Sequence, residues 1–208
     1  KSARIGIQTG SERALKLYKR PCTNKQVENA AMIMNEYRDK IDPPAYDIIL
    51  DSPWDTEEDL IATLTLLAKL PAPYLLALFS LTFYPETYLY DRAKADGIIS
   101  DDLRDVYRKY YYGCKKTFLN NLFFLLNDYA FRGYRIPPKM MALLTSPTLR
   151  KFKISHLLYF GYKLMFIPIR ITSRIRYLWR EAFRDLHRGD WSRISGYFTK
   201  KRHLPTEA

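Results

Sequence analysis

Cysteine is scarce: Cys22 and Cys114 are the only two in 208 residues, and they stand far apart. That argues against a disulfide framework and fits a reducing, cytoplasmic compartment. Neither has a base beside it in the sequence, so both read as structural or incidental thiols. Histidine is nearly as rare, and His156, His187 and His203 are too scattered to form a metal site. No metal ligand set is expected within the chain. Long apolar runs are missing too. The most apolar stretch, Ile154–Ile171, is interrupted by His156, Lys163, Pro168 and Arg170, whereas a spanning helix needs about 20 predominantly apolar residues. No apolar segment follows a basic start in the manner of a secretory leader. Repeats and low-complexity tracts are also lacking.

What is present is an ordinary globular composition, 47% hydrophobic and 27% charged, sufficient for one or two cores. Its charge is unevenly placed. Residues 1–100 carry 12 basic and 14 acidic side chains and residues 101–208 carry 22 and 8, so the halves stand at −2 and +14. Two units with different partners are expected, residues 1–100 and residues 101–208. The excess charge bears on association and not on fold. The chain enters its first expected strand directly from Lys1-Ser2-Ala3, without an initiator Met, and reads as part of a longer polypeptide.

The first hundred residues alternate strand and helix patterns. Residues 3–8 form a short apolar strand of the kind buried in parallel sheets. Ser11 caps a short helix over 12–19 that stops before Pro21. Thr23, with Gln26 three residues later, is a capping box for a helix over 24–39; its Val27, Ala30, Ala31, Met34 and Tyr37 recur on one face. Tyr46–Leu50 is the second strand. Thr56 opens a helix over 57–70, with Glu57, Glu58 and Asp59 as a charged first turn that complements the helix dipole. Residues 74–84 read as the third strand and 85–95 as a helix ended by Gly97. Strands separated by helices imply an α/β fold with a parallel sheet and right-handed crossovers. Beyond residue 100 the strand signal disappears. Segments around 101–130, 138–152, 154–182 and 189–200 read as helical, punctuated by Pro137-Pro138, Pro147, Pro168 and Gly189. Tyr107, Tyr110 and Tyr111 share one face of the first of these, as packing residues.

In an α/β fold the ligand lies across the C-terminal ends of the strands, where Gln8, Thr9, Gly10 and Ser11 fall. Gln8 offers a donor and an acceptor, Gly10 lets a ligand approach the backbone, and the amides opening the next helix favour an anion. Taken alone, Gly10-Ser11 is more ordinarily a capped strand-to-helix turn. Arg20, twelve residues after Gln8, and Asp47, a lone carboxylate on the apolar strand Ala45–Leu50, sharpen the pattern. A carboxylate there needs a hydrogen-bonding partner or a ligand. Asp51, Trp54 and Asp55 gather at the next strand end, with Trp54 read as packing under the helix that follows.

Gln8, Arg20 and Asp47 are joined by Asp51-Ser52-Pro53 before Thr56-Glu57-Glu58-Asp59. Further on, Phe83-Tyr84-Pro85-Glu86-Thr87 precedes Leu89-Tyr90 and Ala93. Together these resemble the second half of a radical S-adenosylmethionine enzyme barrel, from its fourth strand onward, over residues 1–100. The resemblance implies the second half of a partial (β/α)6 barrel with parallel strands, followed by a basic, mainly α-helical C-terminal region. It implies Gln8 and Asp47 on the ribose hydroxyls of S-adenosylmethionine, Arg20 on its methionyl carboxylate, and Ser11 as a further cofactor-binding residue. An ionised Asp accepts from vicinal hydroxyls, and an Arg fork matches a carboxylate. The family forms are Gly-x-Pro-Gly-Glu-Thr and Pro-Gly-Thr-x-Leu. Here Asp51 stands at the first glycine, Trp54-Asp55 at Gly-Glu, and Glu86 at the later glycine. These departures are most similar to the branch that carries a cobalamin-binding domain ahead of the barrel.

The family's Cys-x-x-x-Cys-x-x-Cys loop, which holds a [4Fe–4S] cluster, does not occur in this sequence and is expected upstream, as is the cobalamin domain. The implied activity is reductive cleavage of S-adenosylmethionine and 5′-deoxyadenosyl radical chemistry on an unassigned substrate, with cobalamin-dependent methylation among the outcomes and a reductant protein as partner. No catalytic residue is assigned in this chain, which is expected to be inactive alone.

In the basic half, Arg170, Arg174, Arg176 and Arg180 interleave with Ile169, Ile171, Ile175, Tyr177, Leu178 and Trp179. Three readings fit: a solvated helical extension, a peripheral contact with the inner face of an anionic membrane, or a contact with nucleic-acid phosphates. Between the last two, the aliphatic and aromatic content favours the membrane. The rival for the whole chain is a non-catalytic basic α/β plus helical module that binds a membrane surface or nucleic acid.

Overall fold

The computed structural model describes residues 1–152 together with 157 and 161. The chain divides into two compact units, Lys1–Tyr159 and Phe160–Ala208, and the strands and helices described all belong to the first. The helices expected over 154–182 and 189–200, the basic stretch 169–180 and its membrane or nucleic-acid partners lie outside the described residues.

Three strands form one parallel sheet in the order β1-β2-β3: β1 is Arg4–Gln8, β2 is Ala45–Leu50 and β3 is Leu75–Ser80. Helices α1 (Glu12–Leu17) and α2 (Asn24–Glu36) connect the first pair, and α3 (Glu57–Lys69) the second. The expected α/β class with a parallel sheet holds. The local signals act as read: Ser11 accepts from the Ala14 amide, Thr23/Gln26 closes a capping box and Thr56 caps α3, where Asp59 adds the reciprocal bond of a second box. Helices α2 and α3 lie side by side, joined by a Lys69–Glu28 ion pair at 3.6 Å, and so cover the same face of the sheet. Under them Tyr46, Ile48 and Leu50 are buried, while Asp47 and Ile49 are half-buried on the opposite face. That alternation is the two-residue period of a strand.

Four differences from the expected elements have local causes. β3 ends at Ser80, short of residue 84, because its partner β2 stops at Leu50 and the chain turns away at Asp51, whose φ is 59°. α4 is Tyr88–Ala95, not 85–95, since Thr87 takes the cap position and accepts from the Tyr90 amide. The segment 101–130 is not one helix: a π-helical turn (Leu103–Tyr107) gives way to an irregular strap, and α5 (Phe118–Phe131) starts afresh at its Thr117 cap. Tyr107 and Tyr110 are each 69% exposed, so they pack no helix face. The expected 138–152 helix is two, α6 (Pro138–Leu144) and α7 (Pro147–Phe152), because Pro147 has no N–H to continue the ladder.

The unit runs past residue 100. α5 packs on α3 and β3, and α6 on α3, burying Leu119, Leu122, Phe123, Leu126 and Met141. α5 also finishes one side of the sheet. On the outer edge of β3 the Leu76 amide donates to Asn127 Oδ1 at 2.6 Å, and the Ser80 amide to the Tyr111 carbonyl at 2.7 Å. On β1 the Ala45 amide donates to the Ala3 carbonyl, so the main-chain groups of Arg4 and Gly6 face away from β2. There, only the Gly6 carbonyl has a described partner, Arg20.

Candidate functional site

The helix-free face of the sheet carries Arg4 and Gly6 from β1, Asp47 and Ile49 from β2, and Phe79 from β3, with Gly6 opposite Asp47 and Ile49 opposite Phe79. The lone carboxylate in the apolar strand has its partner here. Arg4 Nε donates to both oxygens of Asp47, at 2.8 and 3.0 Å. The same guanidinium lies over the Phe79 ring, 5.7 Å from its centroid.

Three of the four expected cofactor residues gather around Gly6. The register slips between Gly6 and Gln8, and Gln8 adopts φ 69°. Its side chain folds back so closely that a Cβ on Gly6 would stand 2.6 Å from Gln8 Nε2 and 3.3 Å from Arg20 Nη2. Arg20 donates from Nη2 to the Gly6 carbonyl at 2.7 Å. Asp47 is the partner of Gly6 on the neighbouring strand. An amide and a guanidinium therefore meet where glycine leaves room, and Asp47 stands opposite that glycine on the neighbouring strand with its carboxylate on Arg4.

Ser11 stands elsewhere. It is buried, and its hydroxyl accepts from the Ala14 amide and donates to Asp59. Around it the Gly10 amide donates to Thr63 Oγ1 at 2.9 Å and the Ser11 amide to Thr9 Oγ1 at 3.1 Å. The turn amides of Gly10 and Ser11 and the Ala14 amide of α1 are thus satisfied within the protein. Gly10 is likewise a packing glycine and not an opening to a ligand: a Cβ there would stand 2.8 Å from the Thr63 Cα of α3.

Asp59, expected as part of a charged first turn, is only 5% exposed. It accepts from Ser11, from Arg13 Nε and Nη2, and from the Thr56 amide and hydroxyl. Burial pushes its carboxyl up, but the Arg13, Ser11 and Thr56 hydrogen bonds outweigh burial and hold it below the usual range. Its neighbour Asp55 goes the other way. Burial, with the Asp59 charge, pushes it up to about 6, and the Tyr18 hydroxyl lies 3.4 Å from it. Trp54 packs, but against Phe83 and the end of α4 in place of the expected α3: it lies edge-on to Phe83 at 5.8 Å, with its Nε1 donating to Asp96.

The strap after the π-helical turn crosses the C-terminal ends of β2 and β3. Asp51 anchors it by accepting from the Lys115 amide at 2.9 Å and Asn120 Nδ2 at 2.8 Å, and the Ser80–Tyr111 main-chain bond pins its middle. Between strap and sheet lies a cleft of about 410 Å³, lined by Arg4, Gln8, Phe79, Tyr84, Tyr111 and Tyr112 among others. Sequence reasoning missed Arg4 and misplaced Tyr110 and Tyr111. For Arg4 the signal was present: Arg4, Gly6 and Gln8 alternate with Ile5 and Ile7, which marks them as one face of a strand.

Among the described residues no cluster of His, Cys, Asp and Glu could hold a metal ion. Burial pushes the Cys114 thiol up to about 11, which leaves it protonated and a poor nucleophile. No described helix is long and apolar enough to cross a membrane. No family model matches the chain, and no curated protein matches it significantly.

Proposed function

We propose that this chain is the C-terminal half of the barrel of a radical S-adenosylmethionine enzyme, with Gln8, Arg20 and Asp47 holding the cofactor on the helix-free face of the sheet. The convergence around Gly6 carries this reading. A side chain at that position would displace the Gln8 amide and the Arg20 guanidinium. The donor set suits the cofactor. Arg20 offers a fork to a carboxylate. Asp47 uses its oxygens on a single Arg4 N–H, and the remaining lone pairs suit the ribose hydroxyls.

A second observation supports the resemblance from the backbone. Of the three positions where the family pattern has glycine, Asp51 and Glu86 are left-handed, with φ of 59° and 66°, and Trp54 is not. At two of the three, the conformation glycine favours is kept where the glycine itself is replaced. Sequential strand order with the covering helices on one face is also what half of an α/β barrel contributes, and the open side at β1 suits the preceding strands.

On this reading the ligands of the [4Fe–4S] cluster and any cobalamin domain belong to polypeptide upstream of Lys1. S-adenosylmethionine, reduced by such a cluster, supplies hydrogen-atom abstraction from an unactivated carbon. The residues here bind and orient it and exclude water. Ser11 contributes as the cap that fixes the turn after β1.

The test is calorimetric binding of S-adenosylmethionine to the polypeptide that carries these residues, loaded with its cluster. Arg20→Ala should weaken binding about ten- to hundredfold, the worth of a charged hydrogen bond. Unchanged affinity removes Arg20 from the site, and absence of binding by the unaltered protein ends the reading.

A further inference from the structure

The cleft has walls and a charge that the cofactor residues leave unused. Phe79 and Tyr112 are in tilted contact, ring centroids 5.4 Å apart, and Tyr111 tilts against Tyr112 at 4.3 Å, so the rings form one aromatic wall. Tyr84, 65% exposed, stands at the rim. At the base lies the Arg4 guanidinium, held by Asp47 through Nε and resting on Phe79. Its terminal amino groups have no hydrogen bond to any described residue, and Arg4 borders the cleft. A guanidinium tethered by one edge keeps its planar face and its other N–H groups for a ligand.

From this we propose that the cleft is the substrate site, and that it takes a molecule with a flat, apolar, unsaturated body bearing a carboxylate, the body lying along the wall formed by Phe79, Tyr84, Tyr111 and Tyr112 and the carboxylate on Arg4. The assignment to substrate rests on the cofactor reading above, which puts the reacting end of the cofactor beside Gln8, itself on the wall of the cleft. The volume of about 410 Å³ falls within the usual 300–1,000 Å³ of small-molecule sites. Aromatic walls also attract cations, but a cation here would meet the Arg4 guanidinium, which borders the cleft, whereas Asp47 is not among the residues that line it. The charge therefore selects an anion and the rings select its shape.

The Tyr111 main-chain carbonyl, not its ring, holds the strap to Ser80. Removing the ring should thus leave the strap in place, which separates recognition from folding.

The test uses 2-naphthoate and the neutral 2-acetylnaphthalene, two probes with the same flat body, titrated into the full 208-residue chain by saturation-transfer NMR. Naphthoate should bind at least about tenfold more tightly than the ketone, the worth of one charged hydrogen bond. Arg4→Gln should erase that difference, and Tyr111→Ala should weaken both probes. Equal affinities for the two probes, naphthoate binding indifferent to Arg4→Gln, or no saturable binding to the unaltered chain overturns the proposal. Tyr111→Ala guards against a misfolded Arg4 variant, since unchanged binding of both probes to it is equally fatal. The two readings fail separately. Loss of the naphthoate pattern with an intact Arg20 effect on S-adenosylmethionine removes the substrate site alone, and the reverse pattern removes the cofactor site alone.

Discussion

Arg20 donates to the carbonyl of Gly6 at 2.7 Å, and the Gln8 amide folds against the same glycine. Two side chains that define the candidate site therefore depend on a residue without one.

Gly6→Ala should separate folding from binding. The atoms its Cβ would meet are the far ends of two flexible side chains, Gln8 Nε2 and Arg20 Nη2, so the fold can absorb the change. Thermal stability should stay within about 1 kcal/mol, helped by the lower entropy of the unfolded alanine chain. Affinity for S-adenosylmethionine in the cluster-loaded protein should fall at least about tenfold, because the Arg20 and Gln8 contacts are pushed aside. A variant that melts normally and binds normally would remove Gly6 from the account.

The two left-handed residues at the former glycine positions should answer differently to glycine. Glu86 is exposed, with φ 66° and no described hydrogen bond or ion pair. Glu86→Gly relieves the backbone and should stabilise by about 0.5–1 kcal/mol, net of the unfolded-state entropy of glycine. Asp51→Gly relieves the same strain at φ 59° but removes the carboxylate that receives Lys115 N and Asn120 Nδ2. It should destabilise by about 1–3 kcal/mol and loosen the strap. Urea denaturation of the two variants gives the signs directly.

Asp55 and Asp59 should shape the pH profile in opposite directions. The folded Asp55 titrates near 6, above an unfolded value of about 3.9, so its charge opposes folding above pH 6. That penalty is relieved as pH falls from about 6 towards 4. Asp59 is held below its ordinary value, so its contribution is full above about pH 4 and is lost on further acidification. Stability should therefore rise on mild acidification and drop below pH 4. Asp55→Asn should flatten the upper limb and stabilise by about 1–2 kcal/mol at pH 7.5, allowing for its partial exposure. Asp59→Asn should remove the acid limb and cost about 2–3 kcal/mol at neutral pH. Denaturant midpoints across pH 3–8 check both.

Asn127 should matter more than its place on a helix suggests. Its Oδ1 is the acceptor for the amide of Leu76, a buried residue. Asn127→Ala should cost about 1–3 kcal/mol by leaving that donor unpaired, whereas Asn127→Asp keeps an acceptor and should cost less. Faster hydrogen exchange at the Leu76 amide in the alanine variant alone would carry the assignment.

What was legible in the sequence was local. A capping box is written in four consecutive residues, so Thr23/Gln26 announced α2 correctly, as the Thr56 cap announced α3. Asp47 stood out because a charge on an apolar strand needs a partner, yet the partner, Arg4, lies 43 residues away. Asp59 was read only as a first-turn charge complementing the helix dipole because its other role depends on Arg13, 46 residues back on a different helix. The tyrosines misled by spacing: positions 107, 110 and 111 fit a helix face, but the Ser80 and Asp51 contacts that hold the strap come from distant strand ends. Gly10 suggested a ligand because its neighbour across the packing, Thr63, is also remote in sequence.

The unequal edges of the sheet set how this chain must be handled. β3 is closed off by Asn127 and Tyr111, but beside β1 the outward main-chain groups of Arg4 and the Gly6 amide have no described partner. A bare parallel edge is a template for any extended segment that meets it. Produced by itself at high concentration, the chain should therefore cluster from one flank only, and a purification that shields that flank should recover more monodisperse protein than one that merely adds salt.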